Sequence, residues 1–200
     1  LASIAEKYCW PEIRLTPHQN IILTGIQANN IKIVLNELER IGLKVDIMSM
    51  KYYSIACPGG FCGKSPEDPK ARLNEIITYI ESRFPKELVK DIRIYISGCP
   101  NACGKHPIGD IGLQGVYIRD KDGMHAGYNI FLGGGLGHLP SFARLIKRNV
   151  KADDVKFYIE KIINTYLRDR MNNEGFKDFC SRYTDSELQK IMEESLDERN

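Results

Sequence analysis

Four of the six cysteines stand in two close pairs, which makes them the residues of this chain best suited to bind an inorganic group. Cys57 and Cys62 lie in the segment CPGGFC, and Cys99 and Cys103 lie in CPNAC, with four and three residues between the members of each pair. Both segments contain proline or glycine, where the backbone can bend and free amides can point at sulfur. The other two cysteines stand alone, and we expect them to be ordinary thiols.

Spacing and compartment favour an iron-sulfur cluster for these pairs. Structural zinc usually takes cysteines with two-residue gaps, disulfides need an oxidising compartment, and iron-sulfur clusters accept wider gaps. A simple bacterial ferredoxin is disfavoured, because 36 residues separate Cys62 from Cys99. Structural zinc, disulfides and inert buried thiols stay open as alternatives at this point.

Composition excludes several classes of protein. The chain has 200 residues, 42% of them hydrophobic and 27% charged, which is ordinary for a globular protein and not for a disordered or fibrous one. A net charge of +2 with interspersed signs argues against a nucleic-acid partner. No apolar run is long enough to cross a bilayer and the first residues do not read as a secretory signal, so we expect no membrane partner and a cytoplasmic protein.

Hydrophobic periodicity predicts the elements that must position the cysteines. Residues 12–27 read as two strands, and residues 29–42 and 65–84 as helices. Strands are predicted near 52–56 and 91–97, each running into a cysteine pair, followed by a hairpin over 109–132. Residues 139–148 and 153–171 are predicted to be helical. We therefore expect both cysteine pairs to follow strand ends.

Four segments resemble motifs of the sirohaem-dependent sulfite and nitrite reductases, in that family's order. SGCPNACGKHPIGDIGLQGV is similar to the family's second cysteine motif and CPGGFCG to its first, although the family normally has five residues within that first pair. RLTPHQNIILTGI resembles its LT-x-x-QN segment, and GYNIFLGGGLG its glycine-rich strand and loop. The resemblance spans about residues 12–137. It implies the cluster-bearing half of such an enzyme.

The resemblance implies an α+β fold with a small ferredoxin-like half-unit packed on a mixed-sheet domain for a 4Fe-4S cluster and sirohaem, followed by a helical C-terminus. The corresponding segments are 1–50, 51–150 and 151–200. Full-length members fuse two related halves, whereas this chain resembles one. The chain would then be a fragment, or a half-sized enzyme that pairs with itself or with a second half-subunit.

The implied chemistry is the six-electron reduction of sulfite to sulfide or of nitrite to ammonia, with a donor such as ferredoxin. The sequence does not decide between the two oxyanions. Two alternatives are a non-catalytic 4Fe-4S electron carrier or regulatory subunit without sirohaem, and a zinc-stabilised binding module. The first would show only cluster absorption, and the second would contain zinc without iron.

The resemblance also implies roles for individual residues. Cys57, Cys62, Cys99 and Cys103 would ligate the cluster, and Cys103 would also reach the sirohaem iron. Cationic side chains near the motifs could meet an anionic substrate or the sirohaem carboxylates, and these are Arg14, Lys51 and Lys105. Contacts with the macrocycle are expected from His18, Gln19, Asn20, Asn101, Gly133, Gly134, Gly135 and Gly137. A plain tight turn is the alternative for the glycines, and a surface or capping role for His18 and for His106.

Overall fold

The structure is a computed structural model that describes residues 1–10, 12–43, 45, 48–137 and 139–194. Its contacts divide the chain into an N-terminal unit, Leu1–Met48, and a C-terminal unit, Ser49–Asn200. None of the described helices is both long and apolar enough to cross a membrane.

The described residues of the N-terminal unit form a two-stranded hairpin and two helices. Its elements are α1 (Ala2–Tyr8), β1 (Ile13–Leu15), β2 (Ile21–Leu23) and α2 (Ile31–Arg40). The antiparallel strands and α2 confirm the predicted order of strand, strand and helix. Val34 and Leu38 of α2 pack with Ile4 of α1 in a small core. Two further apolar residues of α2, Ile31 and Leu35, are about half exposed.

The C-terminal unit is built on one mixed sheet of five strands in the order β3-β4-β5-β6-β7. β3, β4 and β5 run parallel, and β6 and β7 continue the sheet antiparallel. The strand bounds are Ile55–Ala56, Ile94–Ser97, Ile111–Asp120, Gly123–Leu132 and Arg144–Lys151. The mixed sheet with its helices confirms the predicted α+β class.

Helices α3 to α7 accompany this sheet, with bounds Pro69–Arg83, Lys86–Val89, Val155–Asp169, Phe176–Ser181 and Asp185–Glu193. The two longest, α3 and α5, confirm the predictions made from apolar spacing. Asp68 caps α3, because its side chain accepts a hydrogen bond from the amide of Lys70, and Pro69 occupies the first turn. The apolar faces of α3, α5, α6 and α7 join the core that the sheet supplies.

The helix predicted over residues 139–148 is wrong, because residues 144–151 form the edge strand β7. Ile146 and Val150 are buried, and the strand pairs with β6 through a bulge that shifts the register near Asn129. The backbone N–H and C=O groups along the free side of β6 need hydrogen-bond partners. A neighbouring strand provides these partners, and a helix does not. Tertiary pairing therefore overrides the local apolar spacing of this segment.

Candidate functional site

All four paired cysteines line one cavity of about 230 Å³ in the C-terminal unit. Cys57 is buried, Cys99 is partly buried, and Cys62 and Cys103 are exposed. The first pair reaches the cavity although its loop has one residue fewer than the family pattern. The remaining lining residues are Pro58, Gly59, Lys64, Ser97, Gly98 and Asn101.

The parallel pairing of β3 and β4 brings the two cysteine loops together. The first loop leaves β3 at Cys57, and the second leaves β4 two residues before Cys99. Both loops therefore start at the carboxyl ends of two neighbouring parallel strands. The amide of Cys57 donates to the carbonyl of Ile96 at 3.0 Å, which extends the ladder to the first cysteine. The sequence order of strand, cysteines, helix, strand and cysteines thus produces one site.

Glycines allow the segments around the cavity to approach each other closely. A Cβ atom at Gly98 would lie 2.0 Å from Ser65 Oγ, and one at Gly104 would lie 1.9 Å from the carbonyl oxygen of Ile96. Both distances are far below van der Waals contact, so no other residue type fits these positions without displacing backbone or side chain. The two loops are therefore held by close backbone packing.

The second cysteine loop has two non-glycine residues in the left-handed region. Ala102 has a φ of 57° and Lys105 a φ of 59°, and the amide of Lys105 donates to the carbonyl of Ala102 at 2.7 Å. Such conformations cost about 1–3 kcal/mol each and persist only where the surroundings enforce them. The loop between Cys99 and Lys105 is therefore held in one tightly turned shape.

The donor set of the cavity suits a cluster with several iron atoms. Among the residues that the structure describes, no three His, Cys, Asp or Glu side chains gather closely enough to hold a single metal ion. The four cysteines line one cavity, and four thiolates are the usual ligand set of an iron-sulfur cluster. The amide of Gly98 donates to Cys57 Sγ at 3.1 Å, and a hydrogen bond of this kind stabilises a thiolate.

The glycine loop of residues 133–137, which was predicted to contact the macrocycle, lies at the end of the strands opposite the cysteine cavity. Leu132, at the end of β6, pairs with Ile111, which in turn pairs with Ile94, the first residue of β4. The second cysteine loop follows the last residue of β4. The glycine loop of residues 133–137 therefore starts at the other end of the strands, where the Gly133 amide bonds to the carbonyl of Asp110. Their cofactor role stays a prediction.

Three cationic side chains were predicted to serve the site, and none of them lines the cavity. Lys51 lies in a 3₁₀ turn before β3, at the end of that strand away from Cys57. Lys105 directly follows the second cysteine loop and is partly buried. Arg14 belongs to β1 of the N-terminal unit, where it forms an ion pair with Glu12. Asn101, by contrast, lines the cavity, and its contact with the macrocycle stays a prediction.

The three polar residues predicted in the N-terminal unit occupy a single turn. His18, Gln19 and Asn20 connect β1 to β2, and Gln19 has a φ of 61°. The amide of Asn20 donates to Thr16 Oγ1 at 3.1 Å, and that of Thr16 to the Asn20 carbonyl at 3.0 Å. The hairpin holds them together, and contact with a cofactor stays a prediction.

Sequence reasoning missed two side chains that line the cavity, Lys64 and Ser97. Lys64 is exposed and follows Cys62 by two residues. Its position beside a paired cysteine was therefore a signal that it could lie at the site. Ser97 is 1% exposed and ends β4, two residues before Cys99. Strand alternation alone did not show on which side of the sheet its hydroxyl lies.

His106 is a buried residue and not the surface or capping residue weighed from the sequence. It is 3% exposed, its ring packs against Phe131 with 5.1 Å between ring centroids, and Nδ1 lies 3.0 Å from Ser97 Oγ. Burial lowers the pKa of the imidazole to about 4. The ring is therefore neutral at pH 7.

The buried imidazole predicts a loss of stability as the pH falls from 6.5 to about 4. The unfolded chain binds this proton more tightly than the folded chain, so stability rises with pH across that window. The full effect is roughly 3 kcal/mol, at 1.36 kcal/mol per pKa unit. Urea unfolding over this range should show a smaller dependence on pH for His106→Asn, because asparagine does not titrate. Equal pH slopes for the two proteins would contradict the assignment.

Comparison with known proteins gives consistent matches. A family model described as the nitrite and sulphite reductase 4Fe-4S domain matches residues 54–199. A second one, the nitrite/sulfite reductase ferredoxin-like half domain, matches residues 1–41.

Similar full-length proteins include both kinds of reductase. "Sulfite reductase [ferredoxin] 2" of Mycolicibacterium paratuberculosis is 29% identical over 194 residues, which are 94% of this chain and 35% of that protein. The chloroplastic ferredoxin–nitrite reductase of Spinacia oleracea is 33% identical over 83% of this chain and 28% of its own length. The solved structure of Mycobacterium tuberculosis NirA superimposes with a TM-score of 0.76 at 26% identity, over 88% of this chain and 33% of that one. The chain spans about a third of the length of the curated relatives it matches.

Proposed function

The chain belongs to the nitrite and sulphite reductase family, and from this premise we propose that it holds a 4Fe-4S cluster and sirohaem and reduces sulfite or nitrite. The observation that carries the proposal is the cavity shared by Cys57, Cys62, Cys99 and Cys103. Four thiolates are the usual ligand set of such a cluster. Because the chain spans about a third of its relatives, the activity of a whole enzyme is part of the proposal.

The exposure of the cysteines supports distinct tasks for them. Cys57 is buried and accepts the Gly98 amide, which suits a ligand that holds the inner side of a cluster. Cys62 and Cys103 are both exposed, and we assign the contact with a second group to Cys103, which lies in the tightly turned second loop. When bound, the cluster and the sirohaem would pass to the oxyanion, one at a time, the six electrons that an external donor delivers.

Positive side chains near the cavity support an anionic substrate. Lys64 lines the cavity, and we assign it the task of raising the local potential together with Lys105 beside the second loop. A cation near a bound anion strengthens binding and steers its approach. We also propose that Arg14 and Lys51 contact the anionic substrate or the sirohaem carboxylates when a second half completes the pocket.

We assign the electron supply to a small donor such as a ferredoxin. The supporting observation is that relatives of both kinds, the sulfite and the nitrite reductases, carry ferredoxin in their names. The remainder of the substrate pocket would come from a second half, on the same chain or on another subunit.

Purification without oxygen tests the function directly. We expect about five iron atoms for every four acid-labile sulfides, because the sirohaem adds one iron to the four of the cluster. We also expect a tetrapyrrole and a red chlorin-like absorption band in addition to the broad cluster absorption. Reductant-driven turnover should then be measured separately with sulfite and with nitrite, which identifies the substrate. A cluster without tetrapyrrole would support the electron-carrier alternative instead, and one zinc without iron would overturn the proposal.

A further inference from the structure

A line of hydrogen-bonded polar groups crosses the sheet from β7 to the wall of the cysteine cavity. At the β6–β7 bulge the Asn149 amide donates to Asn129 Oδ1 at 3.0 Å, and Asn129 Nδ2 donates to Gln114 Oε1 at 2.9 Å. Gln114 Nε2 lies 3.5 Å from His106 Nε2, and His106 Nδ1 lies 3.0 Å from Ser97 Oγ. The line runs through all four strands from β7 to β4 and ends at Ser97, beside the second cysteine loop.

The direction of every bond in this line follows from its first member. A backbone N–H can only donate, so Asn129 presents its oxygen to Asn149 and its amide nitrogen to Gln114. Gln114 therefore presents its own amide nitrogen to His106. A donor must meet a lone pair, so His106 Nε2 carries no proton and the neutral ring keeps its proton on Nδ1.

Ser97 receives hydrogen bonds from two sides as a result. His106 Nδ1–H donates to Ser97 Oγ, and the backbone amide of Gly104 donates to the same oxygen at 3.0 Å. A serine hydroxyl has two acceptor positions and one proton, so the two donors leave that proton for a third direction. Ser97 lines the cavity together with the four cysteines, and it is otherwise buried.

We propose that the Ser97 hydroxyl donates a hydrogen bond into the cysteine cavity, to a thiolate or a cluster sulfide, and that Gln114 and His106 hold it in that direction. The inference rests on the proposed function for the identity of the group in the cavity. Hydrogen bonds to the sulfurs set the reduction potential of a cluster, and a donor stabilises the more negative, reduced state. Ser97 thus raises the potential of the cluster, and His106 and Gln114 are positioning residues.

Substitution of Ser97 tests the donor. Ser97→Ala should lower the reduction potential of the cluster by about 59 mV, which is a tenfold change in the one-electron equilibrium constant. A redox titration monitored by EPR measures this potential. Ser97→Thr keeps the hydroxyl and should keep the potential near that of the unmodified protein. An unchanged potential in the alanine variant with the cluster intact would overturn the proposal.

Gln114→Glu tests the positioning role without touching the cavity. A carboxylate cannot donate to His106 Nε2, so the ring proton moves to that nitrogen and Nδ1 then accepts the Ser97 hydroxyl. The potential should fall as in Ser97→Ala. The new charge also lowers the potential, so the effect of Gln114→Glu should be clearly smaller in a Ser97→Ala background. Equal effects in both backgrounds would show that charge alone acts, and would overturn the positioning role.

Nitrogen NMR of protein labelled at histidine shows which ring nitrogen of His106 carries the proton, and this measurement does not require a bound cluster. His106 should carry its proton on Nδ1 in the unmodified protein and on Nε2 in Gln114→Glu. A proton on Nε2 in the unmodified protein would overturn the inference whatever the cavity holds. A protein that binds no iron and sulfide would contradict the proposed function, while the ring measurement still decides the direction of the line.

Discussion

Cys103→Ser is expected to lose the cluster and the sirohaem together. Cys103 is exposed in the tightly turned second loop, and we propose that it binds both groups. Loss even of an outer hydrogen-bond partner of a metal ligand costs about 10–100-fold in metal affinity, so loss of the ligand itself should cost at least that. Iron, sulfide and tetrapyrrole content, with the visible spectrum, measure the result.

Cys9→Ser is the matched control for this experiment. Cys9 belongs to the N-terminal unit and does not line the cavity. Its replacement should leave iron, sulfide and tetrapyrrole at the level of the unmodified protein. A Cys103→Ser protein that kept a normal sirohaem band and reductase turnover would refute the shared-ligand assignment.

Gly104→Ala is expected to destabilise the C-terminal unit by at least about 3 kcal/mol, the upper end of the usual cost of overpacking. The new methyl group would lie 1.9 Å from the backbone oxygen of Ile96, which no side-chain rotation can relieve. The loop would have to move, and the hydrogen bond from Gly104 to Ser97 would be lost with it. Such a loss is a large fraction of a typical stability of about 5–15 kcal/mol. Urea unfolding and cluster content measure both consequences.

Gly60→Ala provides the comparison within the first cysteine loop. A Cβ atom there would have no neighbour within 4 Å, and Gly60 is not among the glycines with positive φ. Its free energy of unfolding should therefore change by no more than about 0.5 kcal/mol, as for a surface substitution. If Gly104→Ala were as stable as Gly60→Ala, the second cysteine loop would have moved at little cost in free energy. That result would contradict the close packing around Gly104.

Local spacing was sufficient to predict the elements whose apolar residues repeat regularly and whose ends carry turn or capping residues. Helices α3 and α5 and the β5–β6 hairpin follow from residues within a few positions of one another. β7 does not, because its short apolar spacing is compatible with a helix and only the unpaired edge of β6 decides for a strand. Backbone pairing between distant segments is not encoded in a local period.

The amino-acid sequence by itself determined that four cysteines in two pairs follow two strands, and that their motifs resemble those of the reductases. Only the tertiary structure decided what surrounds them. The register of β4, β5 and β6 puts the glycine loop of 133–137 at the far end of the sheet. The parallel pairing of β3 and β4 brings Lys64 and Ser97 to one cavity. The direction of the Ser97 hydroxyl likewise depends on Gln114 and Asn129 on neighbouring strands. Residues far apart in sequence acquire a shared end, face or hydrogen bond only when strand pairing aligns them.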